Sequence, residues 1–137
     1  MKLSKQTQYG LQILLQLAAK AHTKQLATGK QIARIQNINE PYVEQIIAPL
    51  KRGGLVQTVR GRHGGYALGK DADDITVLEI IETFEGALEL AHDDIRSKSP
   101  GASDIWARLT SDLRDAAAQV TLAAIQAENA AKTDYII

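Results

Sequence analysis

Arginine carries a planar fork of N–H donors that matches phosphates and the edges of bases, and Arg60 and Arg62 stand with His63 on a glycine-rich stretch, Gly61-Arg62-His63-Gly64-Gly65. A second set of donors and acceptors precedes it: Tyr42, Glu44, Gln45, Lys51 and Arg52. Glutamine can bond an adenine edge through both its donor and its acceptor, and the two cations can meet backbone phosphates. Glu44 either accepts from a cytosine amino group or orients a neighbouring arginine, and the sequence leaves both roles open. Catalytic chemistry does not assemble in the same way. No Ser/His/Asp arrangement, phosphate loop or paired acids has a supporting context, so an enzyme is not expected. His92 with Asp93 and Asp94 comes nearest to a metal set, but one imidazole beside two adjacent carboxylates on a polar stretch reads as solvated surface. The chain has no cysteine, which removes disulfides, thiolate metal sites and cysteine-ligated iron–sulfur clusters, and no cofactor is expected.

The elements that hold these residues follow one another with almost no spacer between Thr28 and Leu68. Thr28 is a candidate N-cap for a short helix whose apolar face is Ile32, Ala33 and Ile35, and Asn37 breaks that pattern. Asn39 is placed to cap a second helix. Pro41 falls in its first turn, where a missing N–H costs nothing, and Val43, Ile46, Ile47 and Leu50 recur at helical spacing. That register leaves Tyr42, Gln45 and Lys51 more exposed. Gly53-Gly54 ends the helix, residues 55–59 have the β-branched content of a strand, residues 61–65 turn, and residues 66–68 return. Helix, turn, helix and hairpin in this order are the layout of a winged helix-turn-helix, a module that binds DNA.

Charge supports that reading. Residues 1–70 carry eleven lysines and arginines against Glu40 and Glu44, a net +9, whereas residues 71–137 carry five against fourteen acids, a net −9. The formal total of zero therefore conceals a basic half that coincides with the helix-turn-helix, as expected of a surface whose binding to phosphates releases counterions. With 137 residues and 45% hydrophobic content, the chain suits one core domain plus an appendage. No apolar run approaches the roughly 20 residues of a membrane span, and Met1-Lys2-Leu3-Ser4 leads into an amphipathic helix rather than a signal peptide, so a cytoplasmic location is expected.

The rest of the chain reads as helical. Residues 5–20 form an amphipathic helix that buries Ile13, Leu14, Leu17 and Ala18 and sets Ser4 and Lys5 near the DNA side. Thr76-Val77-Leu78-Glu79 is a capping box opening a helix with Ile80, Ile81 and Phe84 inward and Gly86 as its stop, which closes the winged domain within residues 1–86. Residues 93–102 read as an exposed loop. Ser103 is then expected to cap a helix through about Val120, whose Ile105, Trp106, Leu109, Leu113, Ala116, Ala117 and Val120 make an apolar stripe. Such a stripe needs a partner, and a second copy of the chain is the expected one. A short last helix through Ala130 and a tail from Lys132 to Ile137 complete residues 87–137. The expected class is thus mainly α with a small two-stranded β wing.

Several of these segments together resemble the Rrf-two family of bacterial transcription regulators. They are Tyr42-Val43-Glu44-Gln45, Gly54-Leu55-Val56, Arg60-Gly61 and Gly64-Gly65-Tyr66, with Lys2-Leu3-Ser4, Tyr9-Gly10, Ile75-Thr76 and Glu85-Gly86. The resemblance implies a dimer on a partly palindromic operator, the helix from Tyr42 to Arg52 in the major groove and the Arg60 wing in the minor groove. The expected DNA-contacting residues are in all Ser4, Lys5, Thr28, Tyr42, Glu44, Gln45, Lys51, Arg52, Arg60, Gly61, Arg62 and His63. Members that hold an iron–sulfur cluster place three cysteines in the stretch corresponding to residues 90–104, which here has none. Trp106, the Thr121-Leu122 step and the end Tyr135-Ile136-Ile137 resemble the cluster-free, CymR-type branch, repressors of cysteine and sulfur metabolism genes. That branch implies a partner, O-acetylserine sulfhydrylase (cysteine synthase), binding a C-terminal isoleucine; a frayed apolar end is the plainer reading of the same residues. A protein-only regulatory subunit of that synthase, or a cluster-free regulator of another signal, is the alternative function.

Overall fold

A computed structural model describes residues 1–92 and 98–136, with side chains through Lys132. Helix α1 (Lys5–Lys20) is the hub, touching α2 (Gly29–Gln36), α3 (Glu40–Arg52), α4 (Val77–Glu85), α6 (Leu122–Ile136) and the second strand of a hairpin, β1 (Val56–Val59) and β2 (Gly65–Leu68). The 19-residue α5 (Pro100–Ala118) lies along α4. Ile13, Leu14, Ile32, Val43, Ile46, Leu50, Leu55, Ile75 and Ile80 are buried to within 2%. Leu55 and Ile75 lie in connections and the others on the inward faces of their helices, and burying such a side chain stabilises by roughly 1.5–3 kcal/mol relative to exposure.

Local signals start and stop these helices. The Ser4 hydroxyl accepts the Thr7 N–H at 3.2 Å, and the Asn39 carboxamide accepts the Tyr42 N–H at 2.8 Å. Thr28 accepts from the Gln31 N–H while the Gln31 side chain accepts from the Thr28 N–H, a reciprocal box that satisfies two orphan donors. Asn37 takes the left-handed conformation (φ 57°) at the end of α2, and the Ile38 N–H returns to the Ala33 carbonyl, which closes the turn between the two helices.

Five expectations are corrected. Ile35 is 62% exposed: at about 100° per residue it lies well off the face set by Ile32 and Ala33. The Thr76 box is half made, because Thr76 accepts the Glu79 N–H but the Glu79 carboxylate turns to Lys70 at 2.7 Å. Helix α5 begins at Pro100 rather than after Ser103, since a proline at the first position loses no helical bond there. It ends at Ala118 rather than Val120. Helix α6 continues through Ile136, where a tail was expected from Lys132, because no Gly or Pro interrupts that stretch; Ile137 and Asp93 to Ser97 lie outside the described residues.

Nor do residues 1–86 close the core alone. Leu122, at the start of α6, is 0% exposed, and its N–H donates to the Ile75 carbonyl at 2.8 Å, while the Val77 N–H donates to Val120. The return of α5 and α6 thereby pins the start of α4 from the far side. Helix α5 turns Thr110, Arg114 and Ala117 toward the rest of the molecule but leaves Ile105, Trp106, Leu109 and Leu113, with Val120 just beyond its end, between 39% and 49% exposed.

Candidate nucleic-acid interface

The wing is a two-stranded antiparallel hairpin in the register Val56–Leu68 to Val59–Gly65. Its tip is set by backbone demands. Gly61 has φ 118°, a region L side chains rarely adopt, and the Gly64 N–H closes the turn on the Gly61 carbonyl at 3.0 Å. A Cβ on Gly64 would collide with the Val59 carbonyl oxygen. This tight turn leaves Arg60, Gly61, Arg62 and His63 exposed to solvent.

The hairpin is also fastened to the helix-turn-helix. Ala27 and Tyr66 exchange both backbone hydrogen bonds, at 3.0 and 2.8 Å, so residue 27 acts as a one-residue third strand directly before the Thr28 cap of α2. That pairing brings Thr28 and the wing together, which sequence reasoning missed, because an isolated bridge leaves no periodic pattern. The Thr28–Gln31 box was legible as Thr-x-x-Gln and was overlooked. With the Thr28 hydroxyl oxygen accepting an amide, its proton remains a donor.

On α3, Glu44, Gln45, Lys51 and Arg52 are exposed and lie off the buried face of Val43, Ile46, Ile47 and Leu50. Tyr42 differs from these. It is half-buried against the core and meets Tyr9 edge to face, with ring centroids 5.8 Å apart at 84°, an arrangement worth roughly 0.5–1.5 kcal/mol beyond area burial. Tyr9 therefore fixes the first turn of α3, a role its position in the sequence did not reveal. At the other end of the set, Ser4 is occupied as the α1 cap, and its N–H donates to Glu85 at 3.3 Å; Lys5 beside it is exposed.

The cations of this set also keep their charge unpaired. Among the described residues the ion pairs are Lys70–Glu79 and Arg114–Glu82, so none of Lys5, Lys51, Arg52, Arg60 and Arg62 is neutralised by a carboxylate. Uncompensated cations on an Arg-tipped hairpin beside a helix-turn-helix can neutralise phosphates and place guanidinium groups in a groove.

Known proteins agree with this architecture. Residues 3–128 match the family model Rrf2, described as an iron-dependent transcriptional regulator. The chain is 36% identical over 122 residues to the HTH-type transcriptional regulator CymR of Bacillus subtilis strain 168, covering 89% of this chain and 87% of that protein. It is similar to the solved structure of CymR (YrzC), described as the global cysteine regulator of B. subtilis, with a TM-score of 0.83, 32% identity, and 93% and 98% of the two chains covered. It is also similar to T. potens IscR, with a TM-score of 0.78, 31% identity, and 94% and 88% covered. A cysteine-held iron cluster finds no ligand in this sequence, which contains no cysteine. No described helix is long and apolar enough to cross a membrane. With the matched family model spanning nearly the whole chain and the wing and helix-turn-helix in place, this protein belongs to the Rrf2 family of DNA-binding, winged-helix transcription regulators.

Proposed function

We propose that this regulator is a CymR-type repressor of cysteine and sulfur metabolism genes that acts as a homodimer without an iron–sulfur cluster. The observation that carries the DNA-binding mode is the uncompensated pair Arg60 and Arg62 on a wing that Ala27 ties to α2. In this reading residues 1–86 supply the operator-reading surface, with Gln45, Glu44 and the first turn of α3 at base edges, Lys51, Arg52, Ser4, Lys5 and Thr28 near phosphates, and Arg60 to His63 in the minor groove. Residues 87–137 supply the connection, the dimer helix and the partner-binding end. The exposed row Ile105, Trp106, Leu109, Leu113, Ala116 and Val120 supports self-association, since a two-fold pairing of α5 would cover it and set two wings on two half-sites.

The cysteine assignment rests on the similarity to a protein described as a global cysteine regulator, and the absence of cysteine from the chain supports a cluster-free mode. Binding of O-acetylserine sulfhydrylase to Tyr135, Ile136 and Ile137 is part of the same reading and rests on the resemblance alone. Sequencing of genomic fragments bound by the purified protein, with and without the synthase, tests it. Enrichment of promoters of sulfur-metabolism genes, with affinity falling steeply as salt rises, is the expected result. Enrichment elsewhere removes the cysteine assignment, and salt-independent binding removes the phosphate surface.

A further inference from the structure

A cavity of about 840 Å³ opens between α5 and the segment that follows α4. Pockets that hold small metabolites run to roughly 300–1,000 Å³. This one is framed by a clamp rather than by loose surface. The Leu88 N–H and Arg114 Nη1 both donate to Glu82 Oε2, at 2.9 and 2.8 Å. Arg114 Nη1 also reaches the Leu88 carbonyl at 3.5 Å, and the Leu90 N–H donates to the Thr110 hydroxyl at 3.2 Å. Residues 88–90 are thus strapped along α5, with the cavity beside the strap.

The chemistry lining it comes in both signs. Arg114 spends Nη1 on the clamp, and its Nε and Nη2 carry no hydrogen bond among the described residues, which leaves donors suited to a carboxylate. Glu89 and Asp115 line the same cavity and suit an ammonium group, while Trp106, Leu90 and Ala107 offer apolar surface. A lone carboxylate would meet the two acids unfavourably, and a lone cation would meet Arg114. A molecule carrying both charges close together satisfies the set.

Pairing of α5 along its exposed row would meet the cavity only at its Trp106 edge. At about 100° per residue, Ala107, Thr110 and Arg114 lie roughly 120° round α5 from the row Ile105, Leu109 and Leu113, with Trp106 between the two faces. We infer that this cavity binds a free α-amino acid, its carboxylate on Arg114, its ammonium between Glu89 and Asp115, and its side chain against Trp106.

Trp106 is the chain's one tryptophan, so its emission reports occupancy directly and without DNA. The full-length protein is titrated with each of the protein amino acids, and with propionate and ethylamine as half-ligands. The expected result is a saturable change in emission with at least one amino acid, at a midpoint at least about tenfold below those of both half-ligands. Ala107→Leu, which fills the cavity from an exposed helical position away from the dimer row, and Glu89→Gln should each raise that midpoint about tenfold, with the oligomeric state unchanged by sedimentation. No saturable response to any amino acid would overturn the site. So would half-ligands that bind as well as amino acids, or a midpoint that neither variant moves.

Discussion

The ring of Phe84 lies where a side chain on Gly10 would have to go: a Cβ at Gly10 would sit 2.5 Å from Phe84 Cε2 and 2.8 Å from Cζ. Gly10 is in the interior of α1, where glycine costs about 1 kcal/mol relative to alanine, so its presence there calls for a reason. The reason is the close approach of α4. Together with the Ser4–Glu85 bond at the N-terminal end of α1, it docks the C-terminal end of α4 on the first half of α1.

Gly10→Ala should therefore destabilise the fold despite the better helix former. Overpacking a tight contact costs typically about 1–3 kcal/mol, which outweighs the propensity gain, so a net loss on the order of 1 kcal/mol is expected in urea unfolding. A gain in stability would show that the two helices separate freely.

At the wing, Arg60→Ala and Arg62→Ala should weaken operator binding while leaving the dimer folded. A true base-edge or groove contact is worth about 1–3 kcal/mol, and the loss should be larger on A·T-rich flanks, where a narrow minor groove concentrates negative potential. Fluorescence anisotropy on matched operators measures this, and unchanged affinity in both variants would remove the wing from the interface.

The pairing of α5 is tested by replacing Leu109 and Leu113 with Asp. Charges placed in an apolar seam carry a desolvation penalty with no partner to offset it, so sedimentation should show monomers and operator affinity should fall. A double variant that still sediments as a dimer would place the interface elsewhere.

Glu82 gives a pH dependence. The Leu88 N–H first, then Arg114, hold its carboxyl below the ordinary value of 4.5. A carboxyl lowered in this way contributes stability that is fully present above its unfolded value and is lost as pH falls through the folded one. The difference in melting temperature between the native protein and Glu82→Gln should hence be constant near neutral pH and shrink below about pH 4.5. A difference that does not change down to pH 3 would mean that the clamp adds nothing.

For the C-terminal end, a peptide Asp134-Tyr135-Ile136-Ile137 should bind O-acetylserine sulfhydrylase in competition with O-acetylserine, and deleting Ile136 and Ile137 should abolish partner binding without changing operator affinity. Calorimetry that records no heat with the peptide would remove the partner from this reading.

What the sequence alone determined is what short stretches of backbone decide for themselves. Thr28 and Asn39 capping their helices, Asn37 closing the turn between them and Gly61 and Gly64 folding the wing all depend on groups within a few residues of each other, so the order helix, turn, helix, hairpin was legible in residues 28–68. Tertiary structure decided the rest, because the deciding partners lie far along the chain. Glu79 answers Lys70 instead of its own helix end, and Ile35 faces water because a short helix can turn only one narrow face inward. Ala27 joins the sheet only once Tyr66 arrives beside it. Tyr9 steadies Tyr42 only when α1 crosses α3, and Leu122 completes a core that the first 86 residues leave open, since burial is a property of what surrounds a side chain and not of the side chain itself.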